Sequence, residues 1–305
     1  MKKCAVIGSI NTDLVLRVPR FPKPGETLTG STFQVNFGGK GANQAVALAK
    51  LGVPVQMAGC VGGDLFGSRY VEHLEAVGAD VSAVSTAPEA STGIADILVD
   101  EKGENAILLA PGANSLCDAA WLDDALEKTK DCGIFLLQLE IPLETVKTCI
   151  ARLHAMGKTI LLDPAPAAAL PEAVLNQVDI LTPNETELEA LTASLPAGTS
   201  PEARMRHLIG DSKRLVIHKR GGDGAYIASR DGIRHIPGFK VDVVDTTAAG
   251  DTFNAGLAAG LAMGLPLEEA VRMANAAGAL SVTAFGAQGG MPSMEQVQAL
   301  LSKKL

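Results

Sequence analysis

The sequence predicts an α/β fold in which parallel strands and helices alternate within one domain. Strand-like and helix-like segments alternate along most of the chain, which favours βαβ units over an all-β sandwich. The 305 residues are 47% hydrophobic, which is enough for one large core with a small appendage. Aromatic residues make up only 4% of the chain, so Ala, Val, Leu and Ile must build that core.

The first strand is expected in the apolar run 4–9, which is followed by two polar side chains, Asn11 and Asp13. A second polar cluster at 37–44 forms a glycine-rich turn that leads into an apolar helix over 45–51. Amide and carboxylate groups beside exposed backbone N–H groups suit a polyhydroxylated small molecule, whose hydroxyls both donate and accept. Turn chemistry and helix capping explain either cluster when it is taken alone.

Two β-rich stretches are predicted to form a small sheet apart from the main one. Stretch 14–36 is too rich in Pro and Thr for a helix, and short strands are expected at 27–29 and 32–35. Stretch 92–110 has the pattern of a β-hairpin around a polar turn at 101–104. An isolated sheet with apolar residues on both faces needs a partner surface, which favours dimerisation.

Two later strands end in polar residues at the edge where open α/β sheets bind ligands. The strand 132–140 ends in Glu140, which predicts a substrate contact; a solvated or helix-capping acid is the alternative. The strand near 178–182 is followed by Asn184 and Glu187, which taken alone mark a helix start. Beside a phosphate site, an Asn and a Glu three residues apart also suit hydrated Mg²⁺.

The segment 245–254, DTTAAGDTFN, predicts an anion-binding turn with a carboxylate at its rim. An alternating, β-rich stretch at 238–244 precedes it, and small residues then allow a tight turn into a helix that begins near Asp251. The free N–H groups and the dipole at such a helix start favour negative charge. A carboxylate placed there suggests a general base, although Asp is also a common N-cap residue.

Composition excludes several other classes of function. The formal net charge of −8 and a pI near 5.2 argue against nucleic-acid binding. No apolar stretch is long and unbroken enough to span a bilayer, so a cytoplasmic protein is expected. Reduced, mostly buried thiols are expected for the five scattered cysteines, and the five dispersed histidines predict no zinc site. The chain has neither a Walker A motif nor a G-x-G-x-x-G fingerprint.

Several long motifs of this chain resemble those of the ribokinase family of ATP-dependent sugar and nucleoside kinases. They are GSINTDLV at 8–15, FPKPGETLTG at 21–30, NFGGKGANQAVALAKLG at 36–52, DPAPAAALPEAVLNQVDILTPNETELEAL at 163–191 and VVDTTAAGDTFNAG at 243–256. The resemblance implies a three-layer sandwich over residues 1–305, with a mostly parallel central sheet flanked by helices. Stretches 14–36 and 92–110 would form a β-sheet lid over the sugar, through which two subunits form a homodimer.

The resemblance also implies a reaction, the in-line transfer of the ATP γ-phosphoryl group to a primary hydroxyl of a pentose. O5 of ribose is the expected acceptor. Asp251 would take the hydroxyl proton, while the N–H groups of Ala248, Ala249 and Gly250 would hold the phosphoryl group. Many family members have Gly where this chain has Ala248, but the turn tolerates Ala provided that φ stays negative at that residue. The implied sugar-binding residues are Asn11, Asp13, Gly39, Lys40, Gly41, Asn43, Glu140 and Asp251.

The nucleotide site is implied near the strand, glycine-rich turn and strand at 217–225. Asn275 falls where the family approaches adenine, and a solvated helix Asn is the alternative. Lys219 and Arg220 stand where family members often have Thr or a small apolar residue, and either phosphate contact or a flanking position fits them. The implied nucleotide-binding and Mg²⁺-binding residues are Asn184, Glu187, Lys219, Gly221, Gly222, Gly224, Gly250 and Asn275.

A K⁺ site is the last feature that the resemblance implies. It lies between the segment before the anion-binding turn and a glycine-rich turn at 281–290, whose carbonyl groups have no obvious ladder partners. An ordinary helix cap and loop is the alternative. Gly290 stands where a Ser contributes a ligand in some members, which puts that ligand in doubt. The implied cation ligands are Asp245, Thr247, Ser281, Ala284, Gly286 and Gly290.

Two other functions fit the same motifs. A deoxyribose, nucleoside or other sugar kinase would share every catalytic residue, although a nucleoside kinase usually needs apolar surface around the base, and only Phe37 stands near the sugar motif. A non-catalytic sugar-binding regulator on a kinase scaffold is the second alternative. The intact Asp251 argues against such a regulator.

Overall fold

The computed structural model describes residues 1–210 and 212–303, and within them the strands form two separate sheets. In chain order the strands are β1 (Cys4–Ile7), β2 (Asn11–Arg17), β3 (Thr32–Gly38), β4 (Val55–Gly62), β5 (Asp80–Ala87), β6 (Gly93–Val99), β7 (Asn105–Ala110), β8 (Ile134–Leu137), β9 (Thr159–Leu162), β10 (Ile180–Leu181), β11 (Leu215–Lys219), β12 (Gly224–Ser229) and β13 (Gly232–Pro237). The central sheet has the order β13-β12-β11-β10-β9-β8-β1-β4-β5, and the second sheet has the order β3-β2-β6-β7.

Helices separate most of the strands of the central sheet, as the alternating sequence predicts. In chain order they are α1 (Lys40–Lys50), α2 (Leu65–Ala76), α3 (Ala119–Lys128), α4 (Leu143–Ala155), α5 (Glu172–Leu175), α6 (Glu185–Leu191), α7 (Pro201–Ile209), α8 (Ala249–Ala262), α9 (Leu267–Ser281) and α10 (Met294–Leu301). Strands β4, β5, β8, β9, β10 and β11 pair in parallel with their neighbours, whereas β12 and β13 continue the sheet in antiparallel fashion.

The central sheet is covered on both faces, which gives the three-layer sandwich. Successive side chains of a strand point to opposite faces. In β1, Val6 belongs to the core shared with α1, α8 and α9, and Ile7 belongs to the core shared with α3, α4 and α7. A strand buried on both faces is continuously apolar, which explains the uninterrupted run at the start of the chain.

The carboxyl ends of the parallel strands lie along one edge, and polar residues follow them there. Ser9 follows β1, Glu140 follows β8, Asp163 follows β9, and Lys219 ends β11. The start of α8 faces the same edge, since Lys219 Nζ would lie 3.5 Å from a Cβ built on Gly250. These polar residues therefore lie together at one edge of the sheet.

The second sheet confirms most of the predicted strands outside the core. Strands β6 and β7 form the expected antiparallel hairpin, and β2 pairs with both β3 and β6. The prediction of a strand at 27–29 is wrong. Arg17, the last residue of β2, pairs with Thr32, the first residue of β3, so β2 has no residues left with which 27–29 could pair.

The prediction of a β-rich stretch at 238–244 is also wrong. Strand β13 ends at Pro237, which pairs with Gly224, the first residue of β12. Because its partner strand begins there, the ladder cannot extend past Pro237, and the alternating residues line a cavity instead. Phe239, Val241 and Val243 contribute to that wall.

Two whole-chain expectations can be compared with the described residues. All five cysteines lie among them, and each is buried as a free thiol. Over residues 1–210 and 212–303, none of the helices has the length and apolar character needed to cross a membrane.

Candidate active site

A cavity of about 770 Å³ opens at the start of α8, beside the ends of β9 and β11. Its walls include residues that the sequence assigned to the phosphoryl group, the nucleotide, the sugar and the general base. They are Lys40, Asn184, Glu187, Lys219, Gly221, Gly222, Gly224, Ala248, Ala249, Gly250, Asp251 and Asn275.

Asp251 lies in the first turn of α8 and is only 5% exposed. Asn43 donates a hydrogen bond from Nδ2 to Asp251 Oδ2 over 3.0 Å, and Gln44 donates from Nε2 to Oδ1 over 3.2 Å. Burial raises the pKa of Asp251 to about 6, the charge of Asp163 adds to the rise, and Lys40 and the two amides oppose it. An acid with such a pKa is ionised at neutral pH and only weakly acidic, which suits a general base.

Lys40 supplies positive charge at the centre of the site. Burial disfavours its charged form, but the carboxylates of Asp251, Asp163, Glu140 and Glu187 outweigh burial and raise its pKa. Lys40 is therefore a permanent cation at neutral pH. An anion that enters the cavity meets this charge near the base.

Asn11 and Asp13 lie on the same side of β2, at the end next to the central sheet. Asn11 is buried, and its Oδ1 accepts a hydrogen bond from Asn114 Nδ2 over 2.7 Å. Asp13 is partly buried; burial, followed by the charges of Glu140 and Asp251, raises its pKa to about 7. The carboxylates of Glu140 and Asp251 therefore lie close enough to Asp13 to act on it through their charge.

Glu140 joins the end of β8 to the start of α1. Its Oε2 accepts from Ser9 Oγ over 2.5 Å and from the backbone N–H of Lys40 over 3.0 Å. Gly39 is the N-cap residue of α1 with φ of 84°, a conformation that favours glycine. A Cβ on Gly41 would lie 2.6 Å from the carbonyl carbon of Gly8, so only glycine allows α1 to approach β1 this closely.

Ala248 has φ of 59°, in the left-handed region, so the condition of a negative φ on which an easy fit of Ala depended is not met. The turn that precedes it explains the conformation: Asp245 Oδ1 accepts from the N–H and the hydroxyl of Thr247 over 2.9 and 2.7 Å. The N–H of Ala249, predicted to hold the phosphoryl group, donates instead to the carbonyl of Thr246 over 3.2 Å, because the turn closes on itself there. Helix α8 follows directly.

The first turn of α8 has backbone N–H groups without a hydrogen-bond acceptor. Within the described residues, the N–H groups of Ala248 and Gly250, both predicted as phosphoryl donors, and of Asp251 have no backbone or side-chain acceptor. Together with the helix dipole, such groups attract an anion.

Lys219 reaches from the end of β11 to the same place. Its Nζ lies 2.8 Å from Asp163 Oδ1 and 3.7 Å from Glu187 Oε2, and its side chain is 11% exposed. Burial lowers the pKa of Lys219, but the two carboxylates outweigh burial, and the net effect is a raised pKa. Arg220, in contrast, does not line the cavity, and its Nε lies 3.3 Å from Oε1 of Glu185.

Asn184 and Glu187 form a capping box at the start of α6. Asn184 Oδ1 accepts from the N–H of Glu187 over 2.9 Å, and Glu187 Oε2 accepts from the N–H of Asn184 over 2.8 Å. The helix-start interpretation is therefore correct. The capping box does not exclude a role in binding phosphate or Mg²⁺, because Asn184 and Glu187 also line the cavity.

The far wall of the cavity is apolar and is closed by a glycine turn and α9. Gly221 and Gly222 form a short 3₁₀ turn between β11 and β12, and Gly224 follows with φ of 97°. Asn275 is 6% exposed, and its Nδ2 donates to the carbonyls of Ile236 and Pro237 over 3.0 and 3.1 Å. The alternative of a solvated helix Asn is thus excluded.

The predicted K⁺ ligands lie on two segments that Asp245 joins. Asp245 Oδ2 accepts from the N–H of Gly286 over 2.9 Å, and the N–H of Asp245 donates to the carbonyl of Val282 over 3.2 Å. Burial opposes the ionised form, but the hydrogen bonds from Thr247 and Gly286 outweigh it and lower the pKa of Asp245. The turn before α8 is therefore attached to the loop after α9.

Gly290 approaches the same loop from its other end. A Cβ on Gly290 would lie 2.1 Å from the carbonyl oxygen of Ser281 and 3.4 Å from that of Ala284. No side chain fits there unless the backbone moves. Two predicted carbonyl ligands thus converge beside this glycine, and a carboxylate with carbonyl oxygens is a donor set that suits a hard cation.

Four residues of the site were assigned no role from the sequence. Asp163 follows an apolar strand in the same way as Glu140, so the strand-end rule could have identified it. Gln44 lies next to Asn43 in the glycine-rich cluster. Asn114 and Gln288 gave no local signal, because their partners lie far away in the chain: the contacts are Asn114 with Asn11 and Gln288 with Asn43.

Comparison with known proteins places this geometry among carbohydrate kinases. The model of the pfkB family carbohydrate kinases matches residues 1–294. A ribokinase of Bacillus subtilis strain 168 is 41% identical over 302 residues, 99% of this chain and 100% of the relative. A deoxyribokinase of Salmonella typhi is 40% identical over 301 residues, 98% of each chain.

A solved structure matches over the full length as well. The ribokinase of Arabidopsis thaliana, complexed with ribose and ATP, superposes with a TM-score of 0.90 at 32% identity and covers 99% of both chains. The two-sheet arrangement described above is therefore the ribokinase fold, with a mostly parallel sheet flanked by helices and a separate small sheet.

Proposed function

The chain belongs to the pfkB family of carbohydrate kinases, and from this premise we propose that it transfers the γ-phosphoryl group of ATP to O5 of ribose. The observation that carries the proposal is the position of Asp251. This carboxylate is buried at the start of α8, where it lines the cavity of about 770 Å³ and accepts hydrogen bonds from Asn43 and Gln44 of α1. The ribokinase relatives and the ribose and ATP complex of the Arabidopsis protein support it.

The sugar is proposed to lie between the second sheet and the start of α1. Its hydroxyls both donate and accept, so they suit the mixture of carboxylates and amides there. Asp251 accepts the proton of the attacking hydroxyl, and the hydrogen bonds from Asn43 and Gln44 keep it aimed at that hydroxyl. The proposed sugar ligands are Asn11, Asp13, Gly39, Lys40, Gly41, Asn43 and Glu140.

The transferring phosphoryl group is proposed to lie at the first turn of α8. The N–H groups of Ala248, Gly250 and Asp251 have no acceptor within the described residues, and all three residues line the cavity. Lys40 adds a positive charge beside the base. Because a phosphoryl-transfer transition state is loose, positioning and charge neutralisation contribute more than proton transfer.

The adenine end of ATP is proposed to fill the apolar part of the cavity. Phe239, Val241 and Val243 form one wall, and Asn275 fixes the end of β13 against α9. The glycine turn leaves space for the ribose and phosphates of ATP, since a Cβ on Gly221 or Gly222 would meet nothing within 4 Å.

Mg²⁺ is proposed to accompany the phosphates. The carboxylate of Glu187 lines the cavity, and Asp163 lies on the other side of Lys219. Carboxylate oxygens near phosphate fit an ion that keeps several of its waters, so Glu187, with Asn184 beside it, would hold hydrated Mg²⁺. When bound, the ion neutralises charge on the β- and γ-phosphates. K⁺ is proposed at the loop that Asp245 joins to the turn before α8.

The second sheet is proposed to act as a lid and as the interface of a homodimer. Its edge strands expose large apolar side chains: Phe33 is 59% exposed, Val35 50%, Ile107 51%, Leu108 69% and Leu109 57%. Apolar groups in this number on a small sheet favour burial against a second copy. Sedimentation of the wild type should give a dimer, and Leu108→Glu should give a monomer with the same secondary structure.

A screen for ADP release tests the function and its nearest alternative. The deoxyribokinase relative, at 40% identity, makes 2-deoxyribose the second candidate acceptor. We expect ribose to give the highest kcat/KM among pentoses, hexoses and nucleosides, and Asp251→Asn to lose about two to four orders of magnitude of kcat. A higher kcat/KM for 2-deoxyribose would favour the second candidate. Retention of more than about a tenth of kcat by Asp251→Asn would contradict the assignment of the base.

A further inference from the structure

Gln288 is a buried amide whose side chain connects three parts of the molecule. It lies in the loop after α9 and is 8% exposed. Its Nε2 donates to Asn43 Oδ1 over 3.0 Å and to the hydroxyl oxygen of Tyr70 over 2.9 Å. Its Oε1 lies 2.7 Å from Nε2 of His73, which must carry a proton to donate to it. Every hydrogen-bonding group of this side chain therefore has a partner.

A backbone carbonyl fixes the direction of these hydrogen bonds. The hydroxyl of Tyr70 donates to the carbonyl of Gly38 over 2.5 Å, and a carbonyl can only accept. Because the hydroxyl has one hydrogen, its oxygen must accept from Gln288, which therefore turns Nε2 toward it. The same Nε2 faces Asn43, so Asn43 presents Oδ1 to Gln288 and Nδ2 to Asp251.

We propose that Gln288 is a positioning residue for the base: through Asn43 it keeps a hydrogen-bond donor on Asp251 Oδ2. This inference rests on the proposed role of Asp251. The terminal torsion of an Asn side chain is broad and nearly two-fold, so the amide of Asn43 can turn over unless a partner holds it. Turned over, its oxygen would face the carboxylate and repel the ionised form.

The charged groups around Asp251 come from other elements. Lys40 on α1, Asp163 after β9 and Asp13 on β2 all act on it through their charge. Gln288 itself contacts the imidazole of His73 and the hydroxyl of Tyr70, whose pKa is raised by burial and by the charge of Asp13. A change of Gln288 to an uncharged side chain therefore leaves the charges around the base in place.

The test is the pH dependence of kcat in Gln288→Met, which keeps the length of the side chain and removes its hydrogen bonds. Loss of a donor to the ionised form raises the pKa of a carboxyl. We expect the acidic limb of the kcat profile to move up by about one pH unit, which is about a tenfold loss of kcat below the limb. The pKa of Asp251 can also be read from the pH titration of its carboxyl ¹³C resonance, assigned with Asp251→Asn. In the sugar-free protein this pKa should rise by the same amount.

Gln56→Met is the matched control. Gln56 is 3% exposed, and its Nε2 donates to Ser82 Oγ over 2.8 Å. This hydrogen bond joins β4 to β5, the last two strands at one end of the central sheet. This variant should lose thermal stability and keep the wild-type limb. An unmoved limb in Gln288→Met overturns the proposal. If Gln288→Met does not fold, Tyr70→Phe, which deletes one oxygen, should move the limb in the same direction, and an unmoved limb there overturns it.

A double variant separates positioning from a general structural effect. Since Gln288 acts through Asn43, the change Gln288→Met should move the limb no further in an Asn43→Ala background. An equal displacement in that background overturns the proposal. If Asp251→Asn stays active, the proposed base is wrong; if it is inactive while Gln288→Met keeps the wild-type limb, only the role of Gln288 is wrong.

Discussion

Nζ of Lys219 lies 2.8 Å from Oδ1 of Asp163, and both side chains are buried at the wall of the cavity. Asp163 Oδ2 also accepts from Gln44 Nε2 over 3.2 Å, and Gln44 donates in turn to Asp251. A buried ion pair adds little stability in itself, because desolvation offsets the attraction between the charges. Its position between the proposed phosphate site and the base gives it a functional meaning.

Replacement of Lys219 by Met should weaken ATP binding. A cation beside the first turn of α8 attracts the phosphates, and its loss also leaves Asp163 and Glu187 as neighbouring unpaired carboxylates. The KM for ATP should rise about tenfold or more, the scale of one charge-assisted hydrogen bond. The KM for the sugar, measured at saturating ATP, should stay nearly constant.

Arg220→Met is the control for that experiment. Arg220 is the next residue in the chain, but it does not line the cavity, and its guanidinium pairs with Glu185. The control should keep the wild-type KM for ATP. Equal effects of the two variants would mean that Lys219 flanks the site without contacting phosphate.

The rate should depend on pH through Asp251. Burial raises its pKa from an ordinary 3.8 to about 6, and only the ionised carboxylate accepts a proton. As the pH falls through about 6 the base becomes protonated, so kcat should fall about tenfold for each pH unit below that value. Measurement of kcat at saturating substrates from about pH 5 to about pH 8 would reveal the limb, and a flat profile would contradict it.

The fold and the edge that carries the site could be predicted because both depend on local patterns. Apolar runs gave the strands, and polar residues after them, such as Glu140, marked the carboxyl edge. The network of amides could not be predicted in this way. Gln288 and Asn43 are 245 residues apart in the chain, and no local pattern indicates which amide will face which carboxylate.

The two wrong strand predictions and the wrong φ have a common physical origin. Alternation at 238–244 gives a strand only if a neighbour continues, and the neighbour begins at Gly224, level with Pro237. At Ala248 the sequence indicates a preference for negative φ, but Asp245 binds Thr247 and fixes the turn. The end of a partner strand and a side-chain hydrogen bond within the turn thus outweighed the intrinsic preference of the residues concerned.

Ala248→Gly should raise the thermal stability of the protein. A non-glycine residue in the left-handed region costs about 1–2 kcal/mol. Glycine removes this strain, but part of the gain is lost because glycine increases the conformational entropy of the unfolded chain. A net gain of about 0.5–1 kcal/mol corresponds to a rise in Tm of about 1–3 °C for a chain of this size. Ala249→Gly, one residue later and inside α8, should lower Tm instead. A lower Tm in both variants would show that Ala248 is not strained.

Asp13→Ala should weaken sugar binding selectively. Asp13 is partly buried on β2, and its loss would leave sugar hydroxyls unpaired at a cost of about 1–3 kcal/mol. The KM for ribose should rise about tenfold to a hundredfold, while ATP affinity without sugar should stay constant. Asp96, exposed on β6 of the same sheet, provides the control variant Asp96→Ala. Equal weakening of both ligands by Asp13→Ala would indicate a folding defect.

K⁺ should activate the enzyme and stabilise it through the loop after α9. Asp245 joins this loop to the turn before α8, and the carbonyls of Ser281 and Ala284 converge beside Gly290. A cation bound there would order the turn that presents the N–H groups of α8 to the phosphoryl group. Replacement of Na⁺ by K⁺ at constant ionic strength should raise kcat severalfold and raise Tm without substrates, because a ligand that binds only the native state stabilises it.

The effect should depend on the carboxylate of Asp245. Asp245→Asn keeps one acceptor oxygen but removes the charge, so kcat and Tm should lose most of their difference between K⁺ and Na⁺. Asp242→Asn removes an exposed charge three residues earlier and should keep the difference. Identical rates and melting temperatures in K⁺, Na⁺ and tetramethylammonium buffers would remove the cation from the mechanism. In that case the hydrogen bonds of Asp245 to Thr247 and Gly286 would be sufficient to hold the turn.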